Sequence, residues 1–131
     1  MAMYLEDFKA GQVFETPART VTEADVVAFA GLSGDYNPLH ADPAYAAKAG
    51  FKMPILHGRA TFSVVGHALV KSVCGYDPSK LKSMSGRFSS PVYPGETIRT
   101  EMWVDGKVVT FRATVPARNV TVLNNGRAEI A

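Results

Sequence analysis

The chain has 131 residues, of which 14 are Lys or Arg and 12 are Asp or Glu, and its formal net charge is +2. This balance provides no broad basic surface for nucleic acid, and the length fits one domain covering residues 1–131. The lone Cys74 excludes an internal disulfide and favours a reducing compartment.

Neither a leader nor a membrane anchor is recognisable in the sequence. The start is not basic and then apolar, and no apolar run is long enough to span a bilayer. The final Glu129-Ile130-Ala131 is not the Ser-Lys-Leu signal for peroxisomes. We therefore expect a cytoplasmic protein without membrane or nucleic-acid partners, and a peroxisomal location would require a C-terminal signal that trimming has removed.

A short strand is expected first, followed by a helix that begins near Thr22. Thr22 and Asp25 have the spacing of a capping box, and Val21 and Val26 have the spacing of a hydrophobic staple. Gly34 is expected to end this helix. Between these ends, three apolar residues recur at helical spacing: Val26, Phe29 and Ala30.

The connection after this helix carries an acid, an amide and an imidazole within six residues. These are Asp35, Asn37 and His40, and Pro38 stiffens the backbone between them. A carboxylate and an imidazole that converge on one water can take a proton from it and return one to a substrate. Taken singly, Asp is more often a turn former and His more often structural. A second short helix follows, with the expected boundary residues Asp42, Pro43 and Gly50.

The longest predicted helix runs from Gly58 to about Cys74, a length of roughly 24 Å, and Gly75 is expected to stop it. An Asp105-Gly106 pair predicts a tight hairpin in the second half of the chain. A long helix wrapped by an antiparallel sheet is the hot-dog arrangement, an α+β fold. Four segments rich in β-branched and aromatic residues supply the strands: Leu81 to Ser89, Thr97 to Val104, Lys107 to Val115 and Val120 to Ile130.

Several segments together resemble the MaoC-like family of (R)-specific enoyl-CoA hydratases. FAGLSGDYNPLHADPAYA resembles the hydratase signature, and the likeness continues through PILHG, RFSSPVYPGETIRTEMW and the C-terminal strands. These later segments are similar to the hydratase domain of peroxisomal multifunctional enzyme type 2, whereas FKAGQVFETPARTVTEAD resembles free-standing bacterial members. The resemblance spans nearly the whole chain. It implies a hot-dog fold and the reversible addition of water to trans-2-enoyl-CoA, giving (R)-3-hydroxyacyl-CoA in fatty-acid metabolism.

The resemblance also implies roles for five residues. Asp35 and His40 would activate a water together, and Asn37 would orient that water or the carboxylate. We favour His40 as the base toward water and Asp35 as the acid toward C2, and either assignment implies syn addition. Gly58 would lend its N–H to the thioester carbonyl, since a helix start offers N–H groups without partners, and Phe88 would contact the acyl-CoA. The alternatives are a packing role for Gly58 and a core position for Phe88.

In the resembling family no metal takes part, and coenzyme A is part of the substrate, so no separate cofactor is expected. No Cys/His cluster at metal-ligand spacing accompanies His40, and His57 and His67 are interpreted as structural. Four basic residues could meet the phosphates of coenzyme A, although none is assigned to a site: Lys52, Arg59, Lys82 and Arg87.

A single hot dog exposes a sheet edge and leaves its substrate tunnel incomplete. The resembling single-domain hydratases pair their sheets, so a homodimer is expected. Two other functions remain to be weighed, an acyl-CoA thioesterase on the same fold and a non-catalytic acyl-thioester binding module. The intact D-x-N-P-x-H motif argues against the thioesterase, and the presence of Gly58 as well argues against the binding module.

Overall fold

The computed structural model describes residues 12–15 and 18–131, with side chains from residue 18 onward. Part of the N-terminal resemblance, residues 8–11 and 16–17, lies outside the described residues. Among the helices after residue 18, none combines the length and the apolar character needed to cross a bilayer. The elements follow in the order β1 (Gln12–Glu15), β2 (Arg19–Thr20), α1 (Glu23–Ser33), α2 (Pro43–Lys48), α3 (Gly58–Val73), β3 (Leu81–Phe88), β4 (Thr97–Asp105), β5 (Val108–Val115) and β6 (Val120–Ile130).

The predicted start and end of α1 are confirmed. Thr22 Oγ1 accepts the Asp25 N–H at 3.2 Å, and the Asp25 carboxylate accepts the Thr22 N–H at 2.8 Å. Val21 and Val26 are both buried, as a hydrophobic staple requires. Gly34 adopts a φ of 76°, a left-handed conformation that costs glycine little, and α1 ends there.

The predicted strands agree with the structure to within one residue at each end. The hairpin between β4 and β5 is the instructive difference, because the turn lies one residue later than predicted. Asp105 still pairs with Val108, so Gly106 and Lys107 form the two-residue turn. Gly106 has a φ of 61°, which explains why the first turn position is glycine. The long helix is likewise confirmed, with Cys74 as its C-cap.

The strands form an antiparallel sheet in the order β1-β4-β5-β6-β3, and β2 pairs separately with β4. Burial alternates along β4 and β5, so that Met102 and Phe111 face each other on the side covered by α3. This is the predicted hot-dog arrangement. β3 stands at one edge of the sheet. The residues that α3 contributes to the core are Ala60, Val65, Leu69 and Val73.

A half-buried ion pair anchors the loop between β3 and β4. The Arg118 guanidinium donates to both oxygens of the Glu96 carboxylate and also to the Pro91 carbonyl, the latter at 2.7 Å. The Tyr93 N–H donates to Glu96 at 2.7 Å. The Tyr93 ring contacts two cations, with Arg118 at 5.1 Å and Lys52 at 4.6 Å from its centroid. Side-chain chemistry therefore fixes a loop that has no regular secondary structure of its own.

Replacing Arg118 with Met should lower the free energy of unfolding at pH 7 by about 1–3 kcal/mol, because Glu96 would keep a half-buried charge without its main donor. Burial raises the pKa of the Glu96 carboxyl, but hydrogen bonds from Arg118 and Tyr93, with the charges of Arg118 and Lys52, hold it below its usual value. Such a carboxyl stabilises the fold above its unfolded pKa of about 4.3 and loses that contribution as the pH falls through the folded pKa. The effect of Arg118→Met should therefore shrink in acid.

Chemical denaturation at pH 7 and below pH 4 measures both quantities. Arg127→Met is the control, since Arg127 makes a similar bond to Glu129 at 2.7 Å but the two side chains are 53% and 50% exposed. An exposed pair contributes at most about 1 kcal/mol. Equal losses in the two variants, or an Arg118→Met loss that does not change in acid, would contradict this interpretation.

Candidate active site

Local hydrogen bonds hold the connection between α1 and α2 in a fixed series of turns. The Asp35 N–H donates to the Ser33 hydroxyl at 3.1 Å, and the Asp35 carboxylate accepts the Asn37 N–H at 3.2 Å. Asn37 then caps a 3-10 turn, Pro38–His40, by accepting the Leu39 N–H at 3.0 Å. Short polar side chains favour such turns because their oxygens compete for backbone N–H groups. The Asn37 backbone thus orients the Asp35 carboxylate, whereas its side-chain oxygen caps the turn.

His40 is oriented by the backbone of the segment before α3. Its Nδ1 lies 2.8 Å from the Ile55 carbonyl oxygen, which can only accept, so Nδ1 carries the proton of the neutral ring and Nε2 carries a lone pair. Nε2 lies 3.8 Å from Oδ2 of Asp35. This gap is too long for a direct hydrogen bond, but one water at about 2.8 Å from each atom fits it. The pair can therefore act on a single water.

Asp35, Asn37 and His40 line a cleft of about 590 Å³. Apart from Asp35, the charged side chains on its walls are Glu23 and Lys52. The remaining walls are mainly apolar, and a cleft of this kind suits a ligand with an apolar part that a few polar groups orient. The apolar and aromatic lining residues are Val26, Val27, Ala30, Tyr36, Ala41, Pro43, Met53, Pro54 and Pro94.

Gly58 and Phe88 lie together in a second recess of about 300 Å³. A Cβ added at Gly58 would come 3.4 Å from the Phe88 ring, and no backbone atom is among its nearest neighbours. Close helix-to-sheet packing therefore does not require glycine at this position. Phe88 is 53% exposed, so it is not a core aromatic. Both observations leave the packing alternatives for these two residues with little support.

The first residue of α3 offers an unused hydrogen-bond donor. Gly58 is that residue, and the preceding His57 supplies no side-chain cap. Within residues 18–131, the Gly58 N–H has no acceptor. An N–H at the first position of a helix also lies at the positive end of the helix dipole. This donor can stabilise negative charge on a ligand in the second recess.

One short segment of chain forms a wall of both recesses. Lys52, Met53 and Pro54 line the cleft that contains Asp35 and His40. Phe51, Ile55 and Leu56 line the recess that contains Gly58 and Phe88. The structure therefore groups the predicted site residues into two adjacent sets rather than one.

His57 lies where these two sets meet, although the sequence indicated no more than a structural role for this residue. Its ring stacks on His40 with the centroids 3.8 Å apart and an interplanar angle of 20°. Its Nε2 donates to the Asp35 carbonyl oxygen at 3.0 Å. The only sequence signal for this residue is its place in PILHG, directly before Gly58.

The same three residues raise the question of a metal site. Asp35, His40 and His57 each offer one ligand atom, and these atoms lie within 4.8 Å of one another. An imidazole binds a metal in its own plane through a ring nitrogen, whereas these two rings are stacked nearly parallel. Their lone pairs therefore point along neighbouring planes rather than toward one ion. This geometry does not suit a shared metal.

Two further sequence interpretations can be compared with the structure. Of the four basic residues named as possible phosphate partners, Lys52 lines the cleft beside Asp35 and His40. Cys74 is buried, and burial raises the pKa of its thiol, which keeps it in the unreactive protonated form. Cys74 is therefore a packing residue.

Comparison with known proteins places this chain in a family. Residues 7–125 match the model of the MaoC-like domain. The chain is 53% identical over 92 residues to peroxisomal enoyl-CoA hydratase 2 of Arabidopsis thaliana, covering 70% of this chain and 30% of that protein. It is 39% identical over 112 residues to peroxisomal multifunctional enzyme type 2 of Mus musculus, covering 86% of this chain and 15% of that enzyme.

A solved structure of nearly the same length also matches. The R-hydratase PhaJ1 of Pseudomonas aeruginosa superposes with a TM-score of 0.81 at 30% identity, covering 96% of this chain and 83% of that one. The chain therefore belongs to the MaoC-like family and has its hot-dog fold. It spans less than a third of either of the two longer relatives.

Proposed function

We propose that this chain is a reversible (R)-specific 2-enoyl-CoA hydratase that adds water to trans-2-enoyl-CoA and yields (R)-3-hydroxyacyl-CoA. The observation that carries the proposal is the 3.8 Å gap between His40 Nε2 and Asp35 Oδ2 at the edge of a mainly apolar cleft. The names of the related enoyl-CoA hydratase 2 and R-hydratase support the same reaction and the same stereochemistry.

The proposed chemistry begins with one water bonded to both members of the pair. The lone pair on His40 Nε2 takes a proton from this water as its oxygen attacks C3 of the substrate. Asp35, which must carry a proton in the substrate complex to act as the acid, then gives that proton to C2, and the proton on His40 returns to Asp35 across the gap. The net change is one H and one OH added to the double bond. Because both groups lie on the same wall, both additions occur on one face of the substrate.

Negative charge gathers on the thioester oxygen while water attacks C3. The free N–H of Gly58 is the donor that we assign to this oxygen, and stabilisation of this kind is usually the largest single contribution to catalysis. Phe88 borders the same recess and would hold the thioester against that donor. Asn37 acts through the turn that fixes Asp35.

A thioesterase would use the same fold but would release free coenzyme A. A binding module would catalyse neither hydration of the double bond nor hydrolysis of the thioester. One assay separates all three, in which purified protein is added to crotonyl-CoA and both the enoyl absorbance and the free thiol are followed. Loss of enoyl absorbance without thiol release supports the hydratase, and thiol release or no reaction would overturn it. Chiral analysis of the product should give the (R)-3-hydroxyacyl thioester, and a mainly (S) product would contradict the assignment.

We also propose that the protein forms a homodimer. Among the described strands β3 pairs only with β6, so its outer edge presents unpaired backbone groups that a second copy can satisfy. Sedimentation at low micromolar concentration should therefore show a dimer or a larger assembly. A well-folded and fully active monomer would show that one copy closes its own substrate site.

A cytoplasmic location and independence from any metal or separate cofactor complete the proposal. The single, buried Cys74 is consistent with a reducing compartment. The two relatives named above as peroxisomal make fractionation of the native cell the direct test of location. Activity that survives exhaustive dialysis against a chelator would support the absence of a metal.

A further inference from the structure

His57 is the most deeply buried ionisable side chain at the site. Packing alone does not explain why a histidine occupies this position. The residue is 2% exposed, and its Nδ1 has no hydrogen-bond partner within the described residues. A buried acceptor without a partner destabilises a fold. Phenylalanine would fill a similar volume without that cost. The position therefore has a requirement that a histidine meets and a plain aromatic ring does not.

Two contacts identify this requirement. The His57 ring packs between the rings of Phe29 and His40. Its centroid lies 5.0 Å from the Phe29 centroid and 3.8 Å from the His40 centroid. Its Nε2–H donates to the Asp35 carbonyl at 3.0 Å. The ring face therefore restrains His40, while the ring edge restrains the backbone that carries the Asp35 carboxylate. One side chain fixes both members of the pair relative to each other.

We propose that His57 is a positioning residue that sets the separation between the Asp35 carboxylate and His40 Nε2. The inference rests on the proposed hydratase reaction for its kinetic consequence, but its geometric consequence can be measured without activity. His57 takes no part in proton transfer. Its Nε2–H is committed to the Asp35 carbonyl, and the ring is 2% exposed.

The first test uses His57→Phe, which keeps an aromatic ring against His40 but removes the donor to Asp35. The kcat for crotonyl-CoA should fall about 10- to 100-fold, since a misplacement of about 1 Å can have effects of this size, while KM changes less than threefold. The thermal midpoint should stay the same or rise, because the unpartnered Nδ1 is also removed. A purely structural role predicts the opposite combination, a lower midpoint with normal kcat per folded molecule, and that result would overturn the proposal.

Two further variants complete the kinetic test. His57→Gln supplies an amide donor without a ring, and a kcat closer to the wild type than that of His57→Phe would show that the donor carries most of the effect. A kcat as low as that of His57→Phe would show that both contacts are needed, and either result supports positioning. His67→Phe is the control, because His67 is an exposed histidine of α3, the helix that His57 precedes. Equal losses in His57→Phe and His67→Phe would contradict the proposal.

The second test measures the separation directly, in crystal structures of the wild type and of His57→Phe. The distance from His40 Nε2 to Asp35 Oδ2, which is 3.8 Å here, should change by about 1 Å in the variant, a displacement of the size that affects turnover. The bond from His40 Nδ1 to the Ile55 carbonyl should be kept, because it does not involve His57.

An unchanged separation in His57→Phe would overturn the proposal. This measurement needs no turnover, so the positioning role of His57 and the hydratase reaction can be contradicted independently. A wild-type protein that is inactive on enoyl-CoA would remove the proposed function, and the two structures alone would then decide the role of His57.

Discussion

Asp35→Asn and His40→Gln should each reduce the hydration of crotonyl-CoA by about 100- to 10,000-fold, the range expected for loss of general acid or base catalysis. Each substitution removes one end of the pair that would share a water across 3.8 Å. Because both groups serve one proton circuit, the double variant should be little slower than the worse single variant. Steady-state kinetics on the three proteins measures the effect.

The fold should survive these changes. Asparagine keeps an oxygen that can accept the Asn37 N–H, and glutamine at position 40 retains a donor for the Ile55 carbonyl. Asp42→Asn is the matched control on the same connection, since Asp42 caps α2 and does not line the cleft. If either single variant kept near wild-type turnover, the role assigned to that residue would be wrong.

Gly58→Val should reduce turnover per folded molecule by about 100- to 1,000-fold, the usual effect of losing one oxyanion donor. The donor is a main-chain N–H, so adding bulk beside it is the accessible perturbation. The new side chain would enter the recess between the N–H and Phe88, where a Cβ alone already lies 3.4 Å from the ring. A bound thioester would then be displaced from the donor.

The thermal midpoint separates obstruction from misfolding. Gly58 does not have a positive φ, and no backbone atom lies close to an added Cβ, so the variant should fold. Gly31→Val is the control, because Gly31 also lies in a helix and has nothing within 4 Å of an added Cβ. If turnover fell only in proportion to the folded fraction, Gly58 would have a packing role and would not act as the oxyanion donor.

Local patterns predicted most of the secondary structure because each relies on neighbours in the chain. The capping box of Thr22 and Asp25 spans three residues, and the turns around Asp35 and Asn37 span two each. The hairpin was misplaced by one residue because Asp105 can either begin the turn or pair across it, and the sheet register decides between them.

Contacts between distant segments could not be predicted in this way. The ion pair of Glu96 and Arg118 joins residues 22 apart. The bond from His40 to the Ile55 carbonyl and the stacking of His57 both depend on how the segment before α3 folds back over the connection. The sequence therefore predicted which groups come together at the candidate site, whereas tertiary packing determines the tautomer of His40 and the spacing of the pair.

The segment that lines both recesses restricts which sequence changes related proteins can accept during evolution. Residues 51–56 line both recesses, and within them the Ile55 carbonyl also holds His40 in the tautomer with its lone pair on Nε2. An insertion or deletion in this segment would move that carbonyl as well as the walls. Acyl preference should therefore evolve here by exchange of side chains such as Met53 at constant segment length. Length variation should accumulate in loops that touch neither recess, such as the turn between β4 and β5.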